Sequence, residues 1–135
     1  MAISDNTDFV TLQPDQPFFE TLYTAFPLVI VGTRESDGSE NLAPKHMAMP
    51  LGWSDYFGFV CTPEHGTYRN AQRTGVFTIS YPRPENILEP SLAAAPRDTE
   101  GSKQSLTEIE TDEADTVDAP VVRDAYGVLE CELDR

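Results

Sequence analysis

The chain has 135 residues, 39% of them hydrophobic, and carries a formal charge of −14 from 23 acidic and 9 basic side chains. That length suits one domain, spanning 1–135, whose core needs neither disulfides nor metals. The charge argues against nucleic acid and against anionic membranes as partners, since both would be repelled over most of the surface.

Pro14 and Asp15 stand just before Phe18, Phe19, Leu22 and Phe26 at near-helical spacing, which predicts a short helix over Pro17 to Phe26, ended by Pro27. Leu28 to Thr33 is rich in β-branched residues and is followed by the turn-forming Ser36-Asp37-Gly38-Ser39. It reads as a buried strand entering a hairpin, with Glu40 to Met49 returning as its partner. Pro44 removes a backbone donor, so an edge or a bulge is expected there, with the sheet interrupted at that residue. Tyr56 to Thr62 alternates as a strand, Thr67 to Arg73 has helical character and stops at Gly75, and Val76 to Tyr81 alternates again. Residues 84–120 then shift to a loop-rich acidic excursion, with eight acids and a single lysine between Asp98 and Asp118 and a short helix at Pro90 to Ala95. Tyr126 to Leu133 closes the chain as an alternating strand. The reading is a mainly β chain, a β-barrel with short helices.

Several chemistries find no foothold. Cys61 and Cys131 lie on the apolar alternations Phe57/Phe59/Cys61 and Leu129/Cys131/Leu133, and read as buried thiols without a redox or metal role. His46 and His65 show no HExxH spacing, so no metal site is expected. There is no GxSxG, no phosphate-binding P-loop and no GxGxxG after a strand. Met1 to Asp8 lacks the basic start and apolar core of a secretory leader, and no run reaches the length of a membrane span, so a cytoplasmic location is expected. The spread of acids fits either a halophile's surface, kept hydrated at high salt, or an ordinary acidic cytosolic protein.

Two elements carry candidate function. Thr33, Asp37-Gly38 and Asn41 form a strand-turn-strand unit at which a barrel rim would expose polar side chains, although each is also an ordinary hairpin residue. Gly66-Thr67-Tyr68-Arg69-Asn70 opens a helix, where free backbone N–H groups, a hydroxyl and a guanidinium can jointly hold a phosphate. In so acidic a chain a phosphate ester needs a local island of positive charge, for which Lys45, Arg69 and Lys103 are the candidates.

The run Pro27-Leu28-Val29-Ile30-Val31-Gly32-Thr33-Arg34, then Asp37-Gly38, Asn41-Leu42-Ala43-Pro44, Phe57-Gly58-Phe59, Thr67-Tyr68-Arg69-Asn70 and Thr74-Gly75-Val76-Phe77, resembles the flavin reductase-like family of FMN-binding split β-barrels. Gly101-Ser102-Lys103 and the segment from Val117 to Cys131 resemble the family's later part. The resemblance implies a homodimeric barrel that binds FMN near the subunit interface and takes hydride from NADH or NADPH, with a monooxygenase or another acceptor as electron partner. It also implies flavin contacts from Asn41, from the backbone of Ala43, Pro44, Lys45, His46 and Met47, and from Thr67 and Lys103, with Thr33, Arg69 and Asn70 beside them. His46 stands where many relatives carry a small hydroxyl residue. It either steers flavin or nicotinamide or is a surface residue. Relatives continue beyond the Leu129-Glu130-Cys131 strand into a further strand pair, so the resemblance also implies an incomplete barrel at Arg135.

Overall fold

The structure, a computed structural model, describes residues 13–15, 17 and 25–134. The helix expected over Pro17 to Phe26 falls outside the described residues except for Pro17, Ala25 and Phe26, none of which is helical. Among the described residues there are eight strands and two α-helices: β1 (Val29–Arg34), β2 (Glu40–Lys45), β3 (Ala48–Pro50), β4 (Phe57–Phe59), α1 (Gly66–Thr74), β5 (Val76–Tyr81), α2 (Leu88–Ala93), β6 (Thr111–Glu113), β7 (Pro120–Val122) and β8 (Gly127–Glu132). The chain is mainly β, as its alternations imply.

The central feature is an antiparallel sheet in the order β2-β1-β5-β8, accompanied by the two-stranded ladders β3-β4 and β6-β7. Because β1 lies inside this sheet and both of its faces are covered, Val29, Ile30 and Val31 are all fully buried, which explains an apolar run without alternation. On one face Val29, Val31, Phe77 and Ile79 pack against Ala71 of α1 and against Ala48, Phe57 and Phe59 of the β3-β4 hairpin. Phe59 meets Phe77 edge-on at 5.3 Å between ring centroids. On the other face Ile30 and Leu42 meet Ala93 of α2, Ile109 and Val122 of β7. Among the described residues no helix is long and apolar enough to cross a membrane.

The expected interruption at Pro44 does not occur. β2 runs through Pro44 to Lys45, in register with Ile30 and Val29, and the break comes at His46-Met47, before β3. The reason is strand parity. The Leu42 carbonyl is taken from outside the sheet by the Lys103 ammonium, so Leu42 and, two residues on, Pro44 turn their backbone groups to the open edge. The missing N–H of Pro44 thus costs the sheet no hydrogen bond, and β2 is an edge strand as the proline requires.

α1 ends where the sequence says it should. Gly75 adopts a left-handed φ of 79° and its N–H returns to the Ala71 carbonyl at 2.9 Å, closing the helix before β5. The strand expected over Tyr56 to Thr62 shortens to Phe57–Phe59, and its pairing with β3 ends one step further on with the Val60 N–H donating to the Met47 carbonyl at 3.0 Å in the same register. The acidic excursion is more ordered than its composition suggests. It holds α2, two 3-10 turns and the β6-β7 ladder, because Ala93, Ile109 and Val122 anchor it in the second core, and two arginines pair with part of its charge. Arg34 from β1 reaches Glu113 and Asp118, and Arg123 after β7 pairs with Glu110 and Asp112. Both cysteines are half-buried rather than fully buried, and burial pushes the Cys131 thiol pKa up.

Candidate functional site

α1 begins next to β2. His65 is its N-terminal flanking residue, in extended backbone, and no side chain caps the helix. The helix therefore presents first-turn N–H groups and the positive end of its dipole. A solvent-open cavity of about 360 Å³ sits at this end. Its walls are Asn41, Ala43, Pro44 and Lys45 from β2, the flanking His65, Gly66 and Thr67 from α1, the small-residue segment Ala93 to Pro96, and the long side chains of Arg97 and Lys103. The volume lies within the range of small-molecule clefts, roughly 300–1,000 Å³.

A buried polar knot ties this site to the sheet. Asn41 Nδ2 donates to Thr33 Oγ1 at 3.0 Å and to Thr67 Oγ1 at 3.3 Å, while Asn70 Nδ2 donates to Thr33 Oγ1 at 3.2 Å. All four residues are buried. Buried amides and hydroxyls are tolerated only when paired, so the knot fixes α1 against β1 and β2 in one register. Asn41 and Thr67 reach the cavity, whereas Thr33 and Asn70 lie behind it. The remaining acceptor of Asn41, Oδ1, takes a hydrogen bond from Arg97 Nη2 at 3.0 Å.

The positive island forms, with one member exchanged. Lys45 and Lys103 both line the cavity, but Arg69 donates to the Glu64 carbonyl at 2.7 Å and stays outside it. Arg97 takes the third place. It comes from a rigid loop in which the Asp98 carboxylate accepts from the backbone of Glu100 and Ser102 and from the Ser102 hydroxyl. Burial, and then the Arg97 and Lys45 charges, push the Lys103 pKa down, while Glu35 works against them. Three cations close enough to repel one another, facing one acid in a chain of net charge −14, form a site suited to an anion.

His46 is exposed, and neither it nor Met47 lines the cavity; the Met47 carbonyl is occupied by Val60. His65, Glu35, Arg97 and Ala93 to Pro96 are the residues that sequence reasoning passed over. Arg97 offered no local signal, being one arginine beside an acidic stretch. The bare N-terminus at His65-Gly66 was legible as a helix start.

Lys103 has a structural share as well. Its ammonium donates to the carbonyls of Leu42 at 3.0 Å and Ala93 at 2.9 Å, joining the edge strand to α2. Lys103→Ala should lower stability near neutral pH by about 1–3 kcal/mol, the cost of two carbonyls left without their donor. Because the folded lysine releases its proton at lower pH than the unfolded one, native stability gains as pH rises between the two values. The difference between native protein and variant should therefore widen in alkaline solution. Urea unfolding at a series of pH values checks this, and a narrowing difference contradicts it.

A family model described as a flavin reductase like domain matches residues 22–135. The chain belongs to the flavin reductase-like family. Solved structures with the same fold include flavoredoxin of Desulfovibrio vulgaris (Miyazaki F), with a TM-score of 0.74, 21% identity, and coverage of 93% of this chain and 68% of that one. Nitrilotriacetate monooxygenase component B from Bacillus cereus matches with a TM-score of 0.76 and 18% identity, over 94% of this chain and 69% of that one. The NADH:FAD oxidoreductase of Streptomyces globisporus C-1027 matches with a TM-score of 0.71 and 12% identity, over 83% and 65%. Against two further neighbours this flavin reductase-like chain spans 60% and 56% of their lengths. Its open sheet with two outlying ladders is the split-barrel fold.

Proposed function

We propose that this chain binds FMN in the cavity at the start of α1 and, with NADH or NADPH as transient hydride donor, serves flavin reduction. The observation that supports this reading is the island of Lys45, Arg97 and Lys103 around an uncapped helix N-terminus, in a chain otherwise strongly acidic and of the flavin reductase-like family. The residues present fit a flavin phosphate ester. First-turn N–H groups and the Thr67 hydroxyl offer hydrogen bonds to phosphate oxygens, and Lys45 and Lys103 supply charge. Ala43, Pro44 and the Ala93 to Ala95 segment give a smooth wall for a flat ring.

A flavin held there supplies the hydride-accepting chemistry. The chain itself has to bind and orient. The Thr33-Asn41-Thr67-Asn70 knot holds the wall rigid, so the reacting partners meet in a defined geometry, the source of most of the rate in a reaction that needs no acid-base pair. In this proposal the nicotinamide approaches from the solvent-open side of the cavity. A homodimer belongs to the same proposal, supported by the exposed Leu51, Trp53 and Tyr56 at the tip of the β3-β4 hairpin, as does an electron-accepting partner such as a monooxygenase.

The test is titration of purified protein with FMN, FAD and riboflavin by fluorescence, followed by NADH and NADPH oxidation assays with FMN added. Saturable FMN binding with nicotinamide oxidation is expected. Protein that neither binds flavin nor oxidises nicotinamide overturns the reading. Likeness to flavoredoxin favours a second reading, an FMN-binding electron-transfer protein, which predicts bound flavin with negligible nicotinamide oxidation.

A further inference from the structure

The polar groups around the start of α1 are not equivalent. Lys103 is anchored to two carbonyls and Asn41 is committed to the buried knot, while Arg97 sits at the boundary between two cavities. One is the 360 Å³ site at α1; the other, of about 690 Å³, lies on the Glu35 to Asn41 side, and Asn41, Arg97 and Lys103 line both. The Arg97 guanidinium donates from Nη1 to the Gly101 carbonyl at 2.6 Å, and from Nη2 to Asn41 Oδ1 at 3.0 Å and to the Glu35 carboxylate. It also lies against the first residue of the helix. A methyl placed on Gly66 would stand 2.6 Å from Arg97 Nη2 and 3.5 Å from Glu35 Oε1.

Resting on the FMN reading above, we infer that Arg97 discriminates phosphorylated from unphosphorylated flavin, and that Glu35 competes with the ligand phosphate for its guanidinium. Arg97 is the cation whose charged nitrogen lies against Gly66, where first-turn N–H groups draw an anion. Arginine has five N–H donors in a rigid fork suited to phosphate oxygens; both hydrogens of Nη2, the nitrogen against Gly66, go to Asn41 and Glu35, so a phosphate there takes an Nη2 hydrogen by displacing the Glu35 carboxylate. The side chain is about one-third exposed, so its charge is reachable from the cavity. Glu35 is the acid of this cluster. A dianionic phosphate at Gly66 stands close to its carboxylate, so Glu35 weakens binding of the phosphorylated ligand by repulsion and by holding Arg97. Riboflavin, with the same ring and ribityl chain and no phosphate, is indifferent to both.

The experiment compares FMN and riboflavin dissociation constants, measured on the full chain by flavin fluorescence, in native protein, Arg97→Met and Glu35→Gln. Arg97→Met should weaken FMN by about 10- to 100-fold, the usual loss for a hydrogen bond to a charged group, and leave riboflavin within about twofold. Glu35→Gln, which keeps side-chain size and hydrogen bonding, should tighten FMN severalfold with riboflavin again unchanged. An unchanged FMN-to-riboflavin ratio in both variants, with flavin still bound, overturns the role of Arg97 and leaves the FMN reading standing. Native protein that binds neither flavin overturns both. Should Arg97→Met fail to fold, the ratio in Glu35→Gln decides alone: no tightening of FMN rejects the inference.

Discussion

Asn41→Ala is expected to lower the free energy of unfolding by about 2–4 kcal/mol, because it orphans several buried polar groups at once. Thr33 Oγ1 and Thr67 Oγ1 each lose a donor, and Arg97 Nη2 loses an acceptor. A void also opens between β2 and α1, where Asn41 is only 2% exposed. Chemical denaturation measures the loss, and a change below about 1 kcal/mol would show that the knot is peripheral to stability. The same variant separates wall from charge. Under the FMN proposal Asn41→Ala weakens FMN and riboflavin alike, since it loosens the surface both share, whereas Arg97→Met acts on FMN alone.

Gly32→Ala should be as severe, for a steric reason. A methyl at Gly32 would lie 2.1 Å from the Pro120 carbonyl oxygen and 2.4 Å from Thr78 Oγ1. Neither can yield cheaply. Pro120 is fully buried in β7, and the Thr78 hydroxyl donates to that same carbonyl. β7 would have to withdraw from the sheet, loosening the contact of Ile30 with Val122 in the second core. Overpacking of this kind costs about 1–3 kcal/mol and more where backbone is the obstacle, so a loss of about 3 kcal/mol is expected from denaturation curves. Native-like stability in Gly32→Ala would mean that β7 does not press on β1.

How far the sequence could be read differs by element. The β5 strand was legible to the residue at Val76 and Tyr81, and α1 to within a residue at each end, because strand alternation and a left-handed glycine are signals contained in their own segments. Resemblance supplied the family, and the Thr33, Asn41, Thr67 and Asn70 positions it pointed to do meet in space. It could not tell that these four side chains bond chiefly to one another. Nor could it separate Arg69, turned back on its own loop, from Arg97, which lies 56 residues from the asparagine it touches.

The sequence by itself determined β1, β2, α1, β5 and β8, the acidic balance and the helix start that makes an anion site chemically sensible, and its resemblance to known sequences pointed to the family. The elements and the charge follow from near-neighbour periodicity, backbone sterics and charge counting. Only the tertiary structure decided which edge Pro44 faces, which arginines pair with the acidic excursion, and which cations gather at α1. Each of these depends on hydrogen-bond parity across strands or on charges brought together from distant parts of the chain. Packing of β1, β2, α1 and the Arg97 loop around one cavity sets those distances, and no local pattern records them.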